Sequence, residues 1–298
     1  MTVQRLTDLW NRHWFAPEQA INLAVARVLA AATALWVLLS RDRAGVSSLG
    51  EAFWDGVSAL TRWRYLLFPG HETLEKLLVL LTALLLAGAL AGIRPRTCAL
   101  ASGLLLYHLA PLESIVWNPA PAARGLTLPA LALLVCGFAP SGDALVRGRR
   151  SAEAPSWRYG WPVRLIQWWL VSVYLFSGIA KLRDSGISWA SAANLSHWLY
   201  FATQNELIAV HRGLGSWLAG QPLAAGAIGV GTLVFELGVI AALFSRRWRP
   251  WLAAAALLFH LGIYLSMNIT LNSWPLLLVF FDWSQLRRHE VRTAPGIA

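Results

Sequence analysis

"VSVYLFSGIAKLRDSG", residues 171–186, is an apolar, helix-forming stretch that runs straight into a lysine. A helix of about 20 apolar residues spans the hydrocarbon core of a bilayer, and this composition continues along the chain. The 298 residues are 57% hydrophobic and only 13% charged, with 17 tryptophans and a mean hydropathy of +0.51, where soluble domains carry about 25% charged residues. These numbers predict an all-α integral membrane protein. They also make the lysine conspicuous. Of the 25 lysines and arginines, only Lys76 and Lys181 are lysines.

Working outward from that stretch, we read eight apolar runs, at residues 21–40, 74–93, 98–117, 125–139, 163–182, 223–244, 250–267 and 270–283. The expected fold is a polytopic helical bundle of about eight spans. The arginines orient it. If the N-terminus is cytoplasmic, Arg5, Arg12, Arg94, Arg96, Arg147, Arg149, Arg150, Arg158, Arg246, Arg247, Arg249, Arg287, Arg288 and Arg292 lie inside. Only Arg41, Arg43, Arg62, Arg64, Arg124, Arg183 and Arg212 then lie outside, in much longer loops. The positive-inside rule thus predicts eight spans with both termini cytoplasmic. Read this way, the net charge of +10 is a topology signal, and no nucleic-acid partner is expected.

No cleavable targeting segment is expected, because the first apolar run contains Arg27 and has no small-residue cleavage site. Cys98 and Cys136 lie in apolar runs without metal-ligand or C-x-x-C spacing, so neither a metal site nor a disulfide framework is signalled. Tryptophans 36, 117, 161, 189, 248, 251, 274 and 283 fall near run ends, as an interfacial belt would place them. The two long outer connections contain "FWDGVSALTRWRYLLF" (53–68) and "NLSHWLYFATQNELIAV" (194–210), which read as short interfacial helices. They would either cap an outward-opening cavity or brace the bundle. "LLLYHL" (104–109) and "ALLFHL" (256–261) each follow a tight inner turn, "IRPRT" and "SRRWRP", suggesting a parallel repeat. The chain reads as a single membrane domain, 1–298, with no separate soluble domain.

Ionisable residues inside spans are costly and are functional candidates by default, with pairing roles as the competitor. Arg27, His108, Glu113, Lys181, Glu236 and His260 qualify, with Asn118, Asn268 and Asn272 at outer span ends. Arg27, His108 and Glu236 read mainly as structural, Arg27 pairing with a carboxylate such as Glu236. His108 and His260 are each either an interhelical hydrogen bonder or part of a proton path. Lysine differs chemically from arginine, because it loses its proton when desolvated and then acts as a base; the competing reading of Lys181 is a snorkelling anchor. Tyr174, Ser177, Gly178 and Lys181 recur at i, i+3, i+4 and i+7 and share one helix face. That face offers a phenol, a hydroxyl, a gap and an amine. No H-E-x-x-H, G-x-S-x-G or phosphate-binding glycine loop occurs, which excludes enzymes built on those motifs.

"YLFSGIAKLRDSGISW" (174–189) resembles the Y-x-x-x-G-x-x-K-L stretch of the horizontally transferred transmembrane (HTTM) domain family, the membrane domain shared with vitamin K-dependent gamma-carboxylase. "INLAVARVLAA" (21–31), "AGIRPRTCALASGLLLYHLA" (91–110), "FAPSGDAL" (138–145) and "FHLGIYLSMNITLNSWPLLLVFF" (259–281) resemble further family segments in order. The resemblance implies that Lys181 is the base that deprotonates a reduced quinone of the vitamin K or menaquinol type. Oxygenation then yields a strong base that removes a glutamyl proton before carbon dioxide adds. Helix phase, the inferred topology and this motif together point to an outward-opening cavity for a lipophilic ligand, with Trp117, Asn118, Tyr174, Ser177, Gly178, His260, Asn268 and Asn272 as candidate lining. Where the carboxylase has W-N-N-H, this chain reads Trp117, Asn118, Pro119, Ala120, and a large lumenal domain is not expected after residue 283. Two other readings follow: a non-catalytic membrane helper for maturation or export of a secreted peptide, as in the sporulation-delaying system, or a proton-coupled transporter using His108, Glu236 and His260. Beyond such a ligand or peptide, the bilayer is the expected partner.

Overall fold

The apolar runs up to residue 267 form helix in their described residues, the run at 98–117 carrying Pro111 within it and the run at 223–244 broken after Gly238. The computed structural model describes residues 3–40, 43–116, 125–148, 151–152, 154–204, 212–269 and 271–285. In chain order the helices are α1 (Val3–Trp14), α2 (Ala20–Leu39), α3 (Glu51–Asp55), α4 (Ala59–Arg64), α5 (Glu72–Ala91), α6 (Pro95–Val116), α7 (Thr127–Phe138), α8 (Trp157–Ser185), α9 (Ala192–Gln204), α10 (Arg212–Ala219), α11 (Pro222–Gly238), α12 (Ala241–Phe244) and α13 (Arg249–Met267). Among the described residues the only β pairing is an isolated bridge between Glu18 and Ser156.

Among the described residues, five segments are long and apolar enough to cross a membrane: Ala20–Leu39, Glu72–Ala91, Trp157–Ala190, Pro222–Phe244 and Arg249–Met267. The protein is therefore an all-helical, multi-pass membrane protein. The expected fourth run is the twelve-residue helix α7, about 18 Å long at 1.5 Å per residue and well short of the roughly 30 Å hydrocarbon core. The expected last run is a seven-residue 3₁₀ helix, Trp274–Phe280. Both are largely buried in protein, where length need not match the bilayer.

The chain packs as two compact units, residues 1–166 with 282–298, and residues 167–281. In the first, α2 packs on α5 and α7, and α6 packs on α5 and α7. Lipid supplies no hydrophobic drive between helices, so close approach depends on small residues. Ala24, Ala26, Ala30, Ala31 and Ala34 of α2 are buried, and a Cβ at Gly137 would stand 2.6 Å from the Cβ of Leu100. The outward side of α5 instead presents Leu77, Leu80, Leu81 and Leu84, as a lipid-facing stripe would. In the second unit, α9 packs on α10 and α11, and α13 on α10 and the 3₁₀ helix. Leu195, Leu199 and Ala225 form its small core. Short helices lie between the long ones: α3 and α4 between α2 and α5, and α9 and α10 between α8 and α11.

Arginine has a recurring structural task in this fold. The last four carbonyls of a helix lack an intrahelical donor, and a forked guanidinium satisfies several at once. Arg27 is fully buried and donates to the carbonyls of Ala89 (3.1 Å), Leu145 (2.9 Å) and Ser141. It thereby ties the end of α5 to the "FAPSGDAL" segment. Arg43 donates to Val37 (2.8 Å) and Leu38 (3.0 Å) at the end of α2, Arg249 to Ala242 (2.9 Å) and Leu243 (3.2 Å), and Arg96 to Phe138 (3.2 Å) at the end of α7. The expected pairing of Arg27 with Glu236 thus gives way to a carbonyl cage, because at a helix end free carbonyls are nearer than any carboxylate. Replacing Arg27 by leucine or by lysine is expected to destabilise the purified protein by about 3 kcal/mol, the cost of orphaned buried acceptors. The shift would be read from the unfolding midpoint in detergent; unchanged midpoints for both variants would contradict the cage.

Candidate functional site

The C-terminal half of α8 carries the predicted face, and α11 supplies what that face meets. Lys181 Nζ donates to both carboxylate oxygens of Glu236, at 2.6 and 2.8 Å, and to Ser177 Oγ at 2.7 Å. Ser177 Oγ donates in turn to Glu236 Oε1 at 3.1 Å. The three groups close a triangle. The ammonium also lies 4.9 Å from the centroid of the Trp189 ring, within cation–π range. The Glu236 side chain is 5% exposed and that of Lys181 20%, whereas the other lysine, Lys76, is 62% exposed in an i,i+4 pair with Glu72. One lysine is a surface charge, the other a half-buried partner.

Gly178 sits at the closest approach of the two helices. A Cβ there would meet Leu237 Cδ2 at 3.0 Å and Glu236 Cβ at 3.1 Å, so the gap read from the sequence is filled by α11. Glycine is needed for Glu236 to reach Lys181. A similar contact holds the turn bearing Trp189, since a Cβ at Gly229 would stand 2.6 Å from the carbonyl oxygen of Ala190. Two turns back along α8, about 10 Å, the Tyr174 hydroxyl is hydrogen-bonded to His260 Nε2 on α13 at 2.5 Å. The Tyr174, Phe235 and Phe259 rings pack edge to face around it. An apolar void of about 10 Å³ borders Tyr174, at the lower limit for one water.

The structure joins Lys181 and Ser177 to Glu236, with Gly178 and Trp189 beside them, and separately pairs Tyr174 with His260 two turns back along α8. Helix phase had placed Glu236 among the structural residues and Trp189 among the interfacial anchors. Asn268 adopts a left-handed conformation (φ 51°) as the C-cap of α13, its N–H donating to the Tyr264 carbonyl at 2.8 Å. Asn272 is buried in the segment that follows. Neither asparagine joins the hydrogen bonds described for Lys181, which run to Ser177 and Glu236. Trp117 and Asn118 lie outside the described residues.

His108 forms a separate cluster in the first unit. Its Nε2 lies 2.9 and 3.0 Å from the carboxylate oxygens of Glu75, and its Nδ1 2.8 Å from the carbonyl oxygen of Tyr65. The carbonyl only accepts, so Nδ1 carries a proton; a second proton must then bridge Nε2 and the carboxylate. Glu75 is completely buried. Sequence reading passed over it, because it lies beside the exposed Glu72–Lys76 pair at the start of α5. The two histidines of the proposed repeat therefore have different partners, a carboxylate in one case and a phenol in the other.

Removing either member of a buried ion pair strands the other, whereas removing both can be nearly neutral. Lys181→Met and Glu236→Met are each expected to cost about 3 kcal/mol, and the double variant to recover at least about 1.5 kcal/mol of the summed loss. Unfolding of the four proteins in one detergent gives this cycle; strict additivity would contradict a direct pair.

The chain was compared with known families, curated proteins and solved structures. No curated protein and no solved structure matches it. The HTTM domain family does, over residues 15–283, which include all of the second packing unit, most of the first and every residue of the lysine site. On that match, the chain belongs to the HTTM domain family.

Proposed function

We propose that this membrane protein binds a lipophilic weak acid of the quinol type at Lys181, and that the Lys181–Glu236 pair takes a proton from it. The observation that carries the reading is the triangle of Lys181, Glu236 and Ser177. As an ion pair, or as neutral amine and carboxylic acid, the pair has no net charge and accepts one proton to become a cation. A well-packed hydrophobic pair would serve stability as well or better, so retention of two ionisable groups in a span points to proton handling. Trp189 offers an aromatic face beside the ammonium, and the exposed fifth of the Lys181 side chain is the side open to approach. The void at Tyr174 is too small for a ring, so the residues fit the polar end of such a ligand rather than enclose its body.

In this reading Lys181 is the general base, Glu236 sets its protonation and Ser177 orients it. Tyr174 and His260 form a second hydrogen-bonded pair farther along the same helix. A bound quinol would supply the redox chemistry: with dioxygen it gives an epoxide, one oxygen atom entering the ring and the other leaving as water with the quinol's two protons. The finer topology belongs to the same proposal: eight spans in one membrane domain of a bacterial-type inner membrane, both termini cytoplasmic, and a site opening outward. A second reading, a helper for a secreted peptide, is favoured by exposed Trp198, Phe201 and Trp217 on α9 and α10.

Oxygen-dependent conversion of a reduced naphthoquinone to its epoxide by the purified full chain tests the reading. The wild type is expected to turn over, and Lys181→Ala to fall at least about 100-fold, the usual contribution of a positioned base. Quenching of tryptophan fluorescence by the quinone should persist in Glu236→Gln while turnover falls, separating binding from proton transfer. Folded wild-type protein that neither binds nor converts the quinol would sink the reading in favour of the helper.

A further inference from the structure

The first unit contains a cavity of about 410 Å³, within the usual range of small-molecule sites, roughly 300 to 1,000 Å³. Its walls come from α4 and the segment after it, α6 and α7, and include Thr61, Tyr65, Tyr107, Pro111, Thr127 and Leu134. Apart from hydroxyls of Thr61, Thr127 and the two tyrosines, the walls are apolar. The cavity is held open from behind. The carbonyl of Tyr65 accepts from His108, which is fixed in turn by buried Glu75, and Phe68 packs on the same imidazole at 5.6 Å. Pro111, which lines the cavity inside α6, cannot donate to the Tyr107 carbonyl one turn earlier.

Among the described residues the rim carries arginine. Arg64 is exposed, its guanidinium 5.4 Å from the centroid of the Tyr65 ring, which packs on the Tyr107 ring at 5.4 Å. A cation thus lies beside the two tyrosines that frame the cavity, with Arg62 two residues away on α4. Apolar depth beneath a cationic, hydroxyl-bearing rim complements one kind of guest: an apolar chain below an anionic head group.

We propose that this cavity is a binding site for an anionic amphiphile, its acyl chain lying between α6 and α7 and its carboxylate or phosphate on Arg64 and the Tyr107 hydroxyl. Glu75 and His108 are positioning residues for it, acting through Tyr65. The site is independent of Lys181 and stands whether or not a quinol binds there. A membrane phospholipid and a free fatty acid share the chemistry.

Native mass spectrometry of the full chain tests it, with protein released from nanodiscs of mixed phosphatidylglycerol and phosphatidylcholine, and separately after addition of oleate. The wild type should retain one anionic adduct in preference to phosphatidylcholine; phosphatidylglycerol identifies a bilayer lipid, oleate a free acid. Arg64→Gln, at an exposed position that leaves packing intact, should lower that preference about tenfold, as loss of one charge-assisted contact implies. Ala130→Trp, which fills the cavity, should abolish the adduct. Equal retention of anionic and zwitterionic lipid by the wild type, or no change in Arg64→Gln, would overturn the proposal.

Discussion

A helix that ends in or near a bilayer leaves carbonyls that no water satisfies, and four helix ends in this fold answer that constraint with arginine. Arg27, Arg43, Arg96 and Arg249 each donate to carbonyls at the end of a helix. A planar fork suits two or more acceptors, and a guanidinium keeps its charge at any accessible pH. The arginine-rich composition thus has a second cause beside topology: the side chain is a helix terminator as well as an inside marker. It also explains how distant segments are joined, since Arg27 holds the end of α5 and the loop after α7 with one group.

Lysine lacks the planar fork that caps several carbonyls at once, and the two lysines are spent differently. Lys76 is a solvated surface charge; Lys181 is half-buried, with a carboxylate, a hydroxyl and an indole as neighbours. A pair buried this way contributes little net stability once desolvation is counted, whereas an amine beside a carboxylate can exchange a proton in a way that arginine cannot. The glycine at position 178 lets the two helices approach closely enough for the pair, because a larger residue would press against the side chains of Glu236 and Leu237. Site and packing are therefore one feature of the α8–α11 contact.

The runs at 21–40, 74–93 and 250–267 were legible to within about two residues, since long uninterrupted hydrophobicity leaves few alternatives. So was the shared face of Tyr174, Ser177, Gly178 and Lys181, which follows from helix periodicity alone. What faces that face was not legible. Periodicity says which residues point the same way and nothing about the partner helix, so Glu236 was assigned to Arg27 by charge alone, although carbonyls stood closer to Arg27. Glu75 was hidden by a neighbouring exposed pair with the same residue types. The shortness of α7 and of Trp274–Phe280 could not be read from apolar content either, because a protein-buried segment and a lipid-facing one have the same composition.

The central claim is that the Lys181–Glu236 pair takes a proton from a lipophilic weak acid, and it can be tested without oxygen or turnover. Absorbance of 1-naphthol bound to the full chain, at a pH where this phenol is un-ionised in water, reports the proton's position directly. The account predicts a naphtholate spectrum with the wild type that disappears in Lys181→Met. A probe that binds but stays neutral in the wild type, or is ionised equally in the variant, would contradict it.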